Sequence, residues 1–289
     1  MNLAYLILAH ANPKQLHRLV QKLVSDSTAI YIHIDAKVNL QDFLFIAQQP
    51  NVFFIAKREK VYWGAYSIVQ ATENGFEQII ASGINYQHIT LLSGQDYPLK
   101  SNATIANFFK ANADKAFMEY YSINNVWQEA IPRLNKYYLT NYPFAGSTKL
   151  ETLINKLFPK RQPPVNLEFV GRSQWFSITL QQAVYIVDIL KNNHSLRWYF
   201  KFTWGSDEFV FQTLLYNSPF RQQMVNDNLR YIDWTAGGAS PKILTMQDET
   251  ALLASNKLFA RKFNSEKDSN ILNCLDEVNG TKFPTHYAE

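Results

Sequence analysis

The chain has a single cysteine, Cys274, in 289 residues. No internal disulfide can form, and no cysteine cluster exists to hold zinc. No G-x-G-x-x-G turn follows the first apolar run, "LAYLILAH" at 3–10, which argues against a nicotinamide oxidoreductase. No hydrophobic run approaches the roughly 20 residues a membrane-spanning helix needs. The opening "MNLAYLILAHANPK" lacks the basic flank of a signal peptide and reads as a first buried strand, so a cytoplasmic location is the default expectation. Charge of one sign is also scarce. Lys and Arg number 28 against 24 Asp and Glu, a net +4, too little for a dedicated nucleic-acid binder. The densest basic stretch, "FPKRQPP" at 158–164, reads as a solvated loop first and an anion or membrane-surface contact second. Paired acids are missing as well. The only acids one residue apart are Glu266 and Asp268, in a polar C-terminal segment. A divalent ion bridging a diphosphate needs at least two oxygen ligands, so no metal is expected.

What is present is apolar and aromatic: 47% of residues are hydrophobic and 15% are Phe, Trp or Tyr. That supports a large core and also flat surfaces that stack on bases or sugars. The first 110 residues alternate apolar runs with segments of helical spacing. Strands are expected at 3–10, 29–35, 51–56 and 88–94, and helices at 12–24, 40–49 and 67–82. Strands joined by helices imply a mostly parallel sheet. Further strands are expected at 117–122, 174–179 and 228–234. Helices are expected at 180–193, at 206–217 with Ser206 as N-cap, at 248–256 and at 267–278. Residues 124–167, with several prolines, read as the most loop-like part and a substrate-facing excursion. The expected fold class is α/β, a Rossmann-like mostly parallel sheet flanked by helices. It is read as one domain over 1–289, with a nucleotide-binding half at 1–115 and an acceptor-binding, catalytic half at 116–289.

Polar residues gather at the C-terminal ends of the expected strands: His10 after the first, Asp35 after the second and Asp96 after the fourth. In a parallel sheet these ends share the edge where ligands bind. Asp96 stands without a carboxylate partner, which points to hydrogen bonding, to a sugar hydroxyl or within a turn before Pro98. Without a metal, cations must neutralise a diphosphate, and Arg261 and Lys262 in "FARKF" are the candidates; on spacing alone a snorkelling surface pair is the simpler reading. Asp207 and Glu208 in "TWGSDEFVFQT" form the strongest acid pair. First-turn acids also favour a helix dipole, so a purely structural role competes with that of a general base.

These segments resemble the core-2/I-branching β-1,6-N-acetylglucosaminyltransferase and peptide O-xylosyltransferase family. The likeness is carried in order by "LILAH", "IHIDAK", "VYWGAYSIVQA", "LLSGQDYPLKS", "GRSQWFSIT", "SDEFVFQTLLYNSPF", "NLRYIDW", "ASPKILTMQD" and "LFARKF". It implies a GT-A type fold and an inverting glycosyltransferase that works without metal or other cofactor. It places the catalytic base on Glu208 and nucleotide-sugar contacts on His10, Asp35, Asp96, Arg261 and Lys262. Acceptor contacts fall on Glu119, Trp234 and Trp175. A further family arginine near the diphosphate falls around "ASPK", where only Lys242 is basic. The implied partners are a UDP-sugar, carrying N-acetylglucosamine or xylose, and a glycan or other hydroxyl acceptor, as in polysaccharide biosynthesis. Peripheral contact with a membrane-bound acceptor, at the inner face of the membrane, is compatible with this reading. No nucleic acid is expected. The alternative is a non-catalytic nucleotide-sugar or glycan-binding protein on the same fold. The absence of disulfides and of an anchor makes the chain look like a stripped, bacterial-type relative.

Overall fold

The computed structural model describes residues 2–280. Along the chain come β1 (Asn2–Ala9), α1 (Pro13–Leu23), β2 (Thr28–Ile34), a 3-10 helix at Leu40–Gln48, β3 (Val52–Phe54), α2 (Ser67–Ala81), β4 (Tyr86–Ser93), β5 (Asp96–Pro98) and α3 (Asn102–Ala111). Then follow β6 (Ala116–Ser122), α4 (Ile131–Asn135), α5 (Ser147–Leu157), β7 (Val170–Thr179), α6 (Leu180–Asn192), α7 (His194–Lys201), a 3-10 turn at Ser206–Glu208 and α8 (Val210–Tyr216). The described chain closes with β8 (Met224–Asn226), β9 (Arg230–Ile232), α9 (Glu249–Ala254), β10 (Phe259–Arg261) and α10 (Asn270–Val278).

Seven strands form the main sheet in the order β3-β2-β1-β4-β7-β6-β8. The β2–β3, β1–β2, β1–β4 and β6–β8 pairs are parallel, and β7 runs antiparallel to both β4 and β6. The fold is therefore α/β with a mostly parallel sheet, as its alternating segments predict. A second sheet, β5-β10-β9, sits beyond the end of β4 and sets Asp96 directly opposite Arg261.

Central strand β1 is apolar on both faces, as a strand covered on both sides must be. Ala4 and Leu6 enter one core, with Phe76, Phe176 and Phe211. Leu3, Tyr5 and Ile7 enter the other, with Leu16, Phe259 and Leu275. Both cores take residues from before and after residue 115, so the two sequence halves share their interior. Helix starts follow local chemistry. Asn12 adopts φ 50° and its side chain accepts the Gln15 amide, with Pro13 at the first helical position. At the junction of β7 and α6, Thr179 and Gln182 close a reciprocal capping box.

Several expectations change. Residues 40–48 are a 3-10 helix rather than an α-helix. Leu40, Phe43 and Ile46 pack into the second core, and their spacing of three matches 3.0 residues per turn. The expected helix 206–217 is broken. Ser206–Glu208 is a separate 3-10 turn, Phe209 takes φ −148°, and α8 begins only at Val210. Ser206 is no N-cap: its hydroxyl is buried without a hydrogen-bond partner. The loop-like region 124–167 contains α4 and α5. Helices α3 and α7 and the three-residue strands β5, β8 and β10 lie outside the expected segments.

Candidate active site

The three strand-end residues have different surroundings. His10 follows β1 and is exposed. Asp35 follows β2 and is buried. Its carboxylate accepts the amides of Lys37 (2.9 Å) and Val61 (3.3 Å) and lies 3.5 Å from the Lys37 Nζ. Asp35 thus ties the loop after β3 to the end of β2. Asp96, at the start of β5, is fully buried. One of its oxygens accepts the Ser93 amide and the other the Ser93 hydroxyl, both at 3.0 Å.

Asp96 is also the counter-ion of two arginines. Arg261 Nε lies 3.5 Å and Arg230 Nε 3.9 Å from its oxygens. Arg261 stacks over the Trp175 ring at 4.1 Å, and Arg230 lies between Trp175 and Phe259 at 5.8 and 5.6 Å. Arg230 donates from Nη1 to the Asn228 carbonyl and from Nη2 to the Leu91 carbonyl, while its Nε makes no hydrogen bond among the described residues. Burial pushes the Arg230 guanidinium down to about 10, with Asp96 opposing that shift, and it lowers Arg261 in the same sense. Lys262 is lowered by burial first and by the charge of Arg261 second. Arg230 and Arg261 share the carboxylate of Asp96, and Asp227 also attracts Arg230. Trp175, expected on the acceptor side, is itself buried; its indole face meets the arginines rather than solvent. Lys242, the only cation in the "ASPK" block, is engaged by Asp248 at 2.5 Å and Asp233 at 3.9 Å.

Beside this cluster lies a cavity of about 330 Å³, lined by Glu119, Asn226, Asn228, Arg230, Trp234 and Lys257 among others. Glu119 occupies the irregularity in the β6–β7 register between Met118 and Tyr120. Such a bulge re-aims a side chain. Its carboxylate accepts the Asn228 amide at 3.1 Å, and burial raises its pKa, with Arg172 opposing. Trp234 is exposed at the rim. Two of the three residues expected on the acceptor side, Glu119 and Trp234, thus share one cavity with Arg230.

Glu208 belongs to a second cluster. Its side chain is about one-third exposed, at 36%, and is paired with the Arg133 guanidinium of α4. Arg133 sits between two indole rings, 4.3 Å from Trp204 and 4.9 Å from Trp127. Trp204 in turn meets exposed Trp63 edge-on at 5.3 Å. Gly64 and Gly205 make this packing fit. Their backbones bond at 2.7 Å, both adopt positive φ, and a Cβ on Gly64 would come within 2.6 Å of the Trp204 indole nitrogen. Gly171 on β7 lies against the Glu208 carbonyl and Phe209, leaving no room for a Cβ. Neighbouring Asp207 differs from Glu208. It is buried, one carboxylate oxygen lacks a partner, and burial first, then the charge of Glu208, push it up to about 7.

β7 connects the clusters. Gly171 backs the Glu208 turn, the Ser173 hydroxyl accepts the Asn228 amide at 3.2 Å, and Trp175 supports Arg261. These three residues lie within five positions of one strand. The tertiary structure therefore links Glu208, Glu119, Trp234, Asp96 and Arg261 through one strand, and supplies two cations that sequence reading missed. Arg230 carried a signal, being a cation in the strand-like "NLRYIDW". Arg133 carried none.

Among the described residues, no group of three or more His, Cys, Asp or Glu side chains is arranged to hold a metal ion. No helix there is long and apolar enough to cross a membrane. An α/β sheet with a cationic cluster and an acid turn at one edge offers a ligand-binding edge suited to an anion. Residues 3–255 match the Core-2/I-Branching enzyme family, and the chain belongs to it. The mostly parallel α/β sheet is as the sequence predicts.

The chain is 26% identical to xylosyltransferase 2 of Rattus norvegicus, an alignment covering 96% of this chain and 33% of that protein. It is 24% identical to a beta-1,3-galactosyl-O-glycosyl-glycoprotein beta-1,6-N-acetylglucosaminyltransferase of Bovine herpesvirus 4, covering 95% of this chain and 67% of the viral one. The chain thus spans about a third of the length of the curated xylosyltransferases it matches. Among solved structures, mouse xyloside xylosyltransferase 1 in its apo form aligns over 89% of this chain and 97% of that chain. Its identity is 11% and its TM-score 0.35.

Proposed function

We propose that the chain is an inverting glycosyltransferase. It moves N-acetylglucosamine or xylose from a UDP-sugar to a hydroxyl of a glycan or other acceptor, without a metal ion. The observation that carries this reading is a reachable carboxylate, Glu208, on the same sheet edge as a cation cluster. Arg261 and Lys262 add positive charge beside Arg230, which already faces Asp96 and Asp227, and that positive charge complements a diphosphate. In the reaction, Glu208 takes the proton of the acceptor hydroxyl as that oxygen attacks the anomeric carbon. The bond from that carbon to the diphosphate oxygen breaks, and the electron pair leaves with UDP. Arg261 and Lys262 stabilise the growing charge. One base and no protein nucleophile give inversion. Glu119 and Trp234 line the cavity that receives acceptor or sugar hydroxyls.

Transfer and hydrolysis assays with UDP-N-acetylglucosamine and UDP-xylose, with and without acceptor sugars, test the reading. Binding of a UDP-sugar with neither transfer nor hydrolysis would instead make the chain a binding protein. Turnover should persist in excess EDTA. Activity lost in EDTA and restored by manganese would refute metal independence. Lys262→Ala should weaken UDP binding by about 1.5–3 kcal/mol, the range for a charged hydrogen bond. Unchanged UDP affinity by calorimetry, in that variant and in the Arg261→Ala, Lys262→Ala double variant, would move the diphosphate site elsewhere.

A further inference from the structure

Helix α5 is amphipathic in the inverted sense. The face turned to the protein is polar. Glu151 accepts the Leu139 amide at 2.8 Å, and Asn155 exchanges hydrogen bonds with the Tyr137 backbone at 2.8 and 2.7 Å. No residue of the helix is buried. The face turned to solvent is apolar. At about 100° per residue, Leu150, Leu153 and Leu157 fall within an arc of about 60°. Their exposures are 42, 51 and 67%, and Phe158 at the helix end adds 59%. Isolated exposed leucines are ordinary, but a contiguous stripe marks a contact surface.

The surroundings identify what covers it. Lys149 and Lys156 flank the stripe on one side and Lys160 follows it, all exposed. The only acid in the helix, Glu151, is turned inward and held by a backbone amide. The segments flanking α5 carry or contact further aromatics. Tyr142 packs on Phe202 at 5.8 Å, and Phe202 stacks on the exposed Trp198 at 5.9 Å, with the Lys201 ammonium over that indole. Leucines on one face, lysines at its border and Trp and Tyr beside them match the interfacial region of an anionic bilayer, where each part is satisfied at its own depth.

We propose that α5 and its aromatic neighbours dock the protein onto an anionic lipid surface, with the helix lying in the interfacial plane. α5 is tied to residues 137–139, a few positions after Arg133, the partner of Glu208. Docking would therefore hold the catalytic edge close to a membrane-borne acceptor. The docking surface itself does not depend on the sugar-transfer reading, and its test reads lipid binding rather than turnover.

The experiment is co-sedimentation of the full chain with vesicles of phosphatidylcholine alone or with about one-third phosphatidylglycerol. Binding to the anionic vesicles is expected, at least tenfold tighter than to the neutral ones. Each lysine near the surface contributes roughly fivefold, and binding should weaken as salt screens the lysines. The Leu153→Glu, Leu157→Glu variant should lose about tenfold or more, while keeping the wild-type circular dichroism and melting temperature. If that variant fails to fold, Lys149→Glu, Lys156→Glu, Lys160→Glu serves in its place, because exposed lysines tolerate change. Equal binding to both vesicle types, no binding, or full binding by the folded variants would overturn the proposal. So would a concentration-dependent dimer, seen by sedimentation velocity and abolished by the leucine changes, since it would assign the stripe to a second copy.

Discussion

Glu208→Gln should reduce sugar transfer by about 10²–10⁴-fold, the usual cost of losing a general base, and leave UDP affinity nearly unchanged. Glutamine keeps the size of the side chain and a carbonyl acceptor for Arg133, but it cannot take up the acceptor proton. The structure explains why Glu208 rather than Asp207 is the candidate. Glu208 is partly exposed and paired with Arg133, whereas Asp207 is buried with one oxygen lacking any partner. A base must come within hydrogen-bond reach of the proton it abstracts, and Asp207 is enclosed. Asp207→Asn is therefore the control, measured by the same transfer assay and by calorimetry with UDP. Near wild-type transfer by Glu208→Gln together with an inactive Asp207→Asn would move the base by one residue. Activity in both variants would place it on another element.

Asp96→Ala is expected to destabilise the fold by about 3–5 kcal/mol, the cost of breaking a buried ion pair from one side. Arg230 and Asp96 are fully buried and Arg261 is 12% exposed, so water cannot replace the lost carboxylate. Two guanidinium groups would lie against Trp175 and Phe259 without a counter-ion, and the Ser93 amide would lose its acceptor. Chemical denaturation of the wild type and the variant measures the difference. A loss below about 1 kcal/mol would show that the arginines are neutralised by another group. Asp96→Asn keeps one oxygen to accept the Ser93 amide, while its NH2 can only donate to the Ser93 hydroxyl, and it should fall between wild type and Asp96→Ala. In either variant UDP affinity is measured only under conditions where the chain is folded, so that stability and binding are read separately.

The sheet was legible because its strands are nearly continuous apolar runs broken by helical spacing. β1, β2 and β4 were anticipated at near their observed bounds, and so were α1, α2 and α6. Burial on both faces writes such strands into the sequence, since the residues of β1 from Leu3 to Ala9 are apolar whichever side they face. The 3-10 geometry at 40–48 was also written there, in the spacing of Leu40, Phe43 and Ile46, but it differs from an α-helical pattern by less than one residue per turn. The break at Phe209 was not written. It follows from the close approach of Gly171, which is distant in the chain.

The same division holds for the site. Sequence alone determined the α/β class, the want of a second acid beside Asp96, and the family pattern that singles out Glu208, Arg261 and Lys262, because these depend on local order and composition. Only the tertiary structure decided what those groups touch. The antiparallel pairing of β5 with β10 sets Asp96 against Arg261. The parallel pairing of β9 with β10 brings in Arg230, and α4 delivers Arg133 to Glu208 across 75 positions of the chain. Likewise α5 shows apolar periodicity in the sequence, which ordinarily means a face turned inward. The hydrogen bonds of Glu151 and Asn155 turn that face out. Periodicity records which residues share a side of a helix; which side meets the core is settled by partners that the chain brings together only on folding.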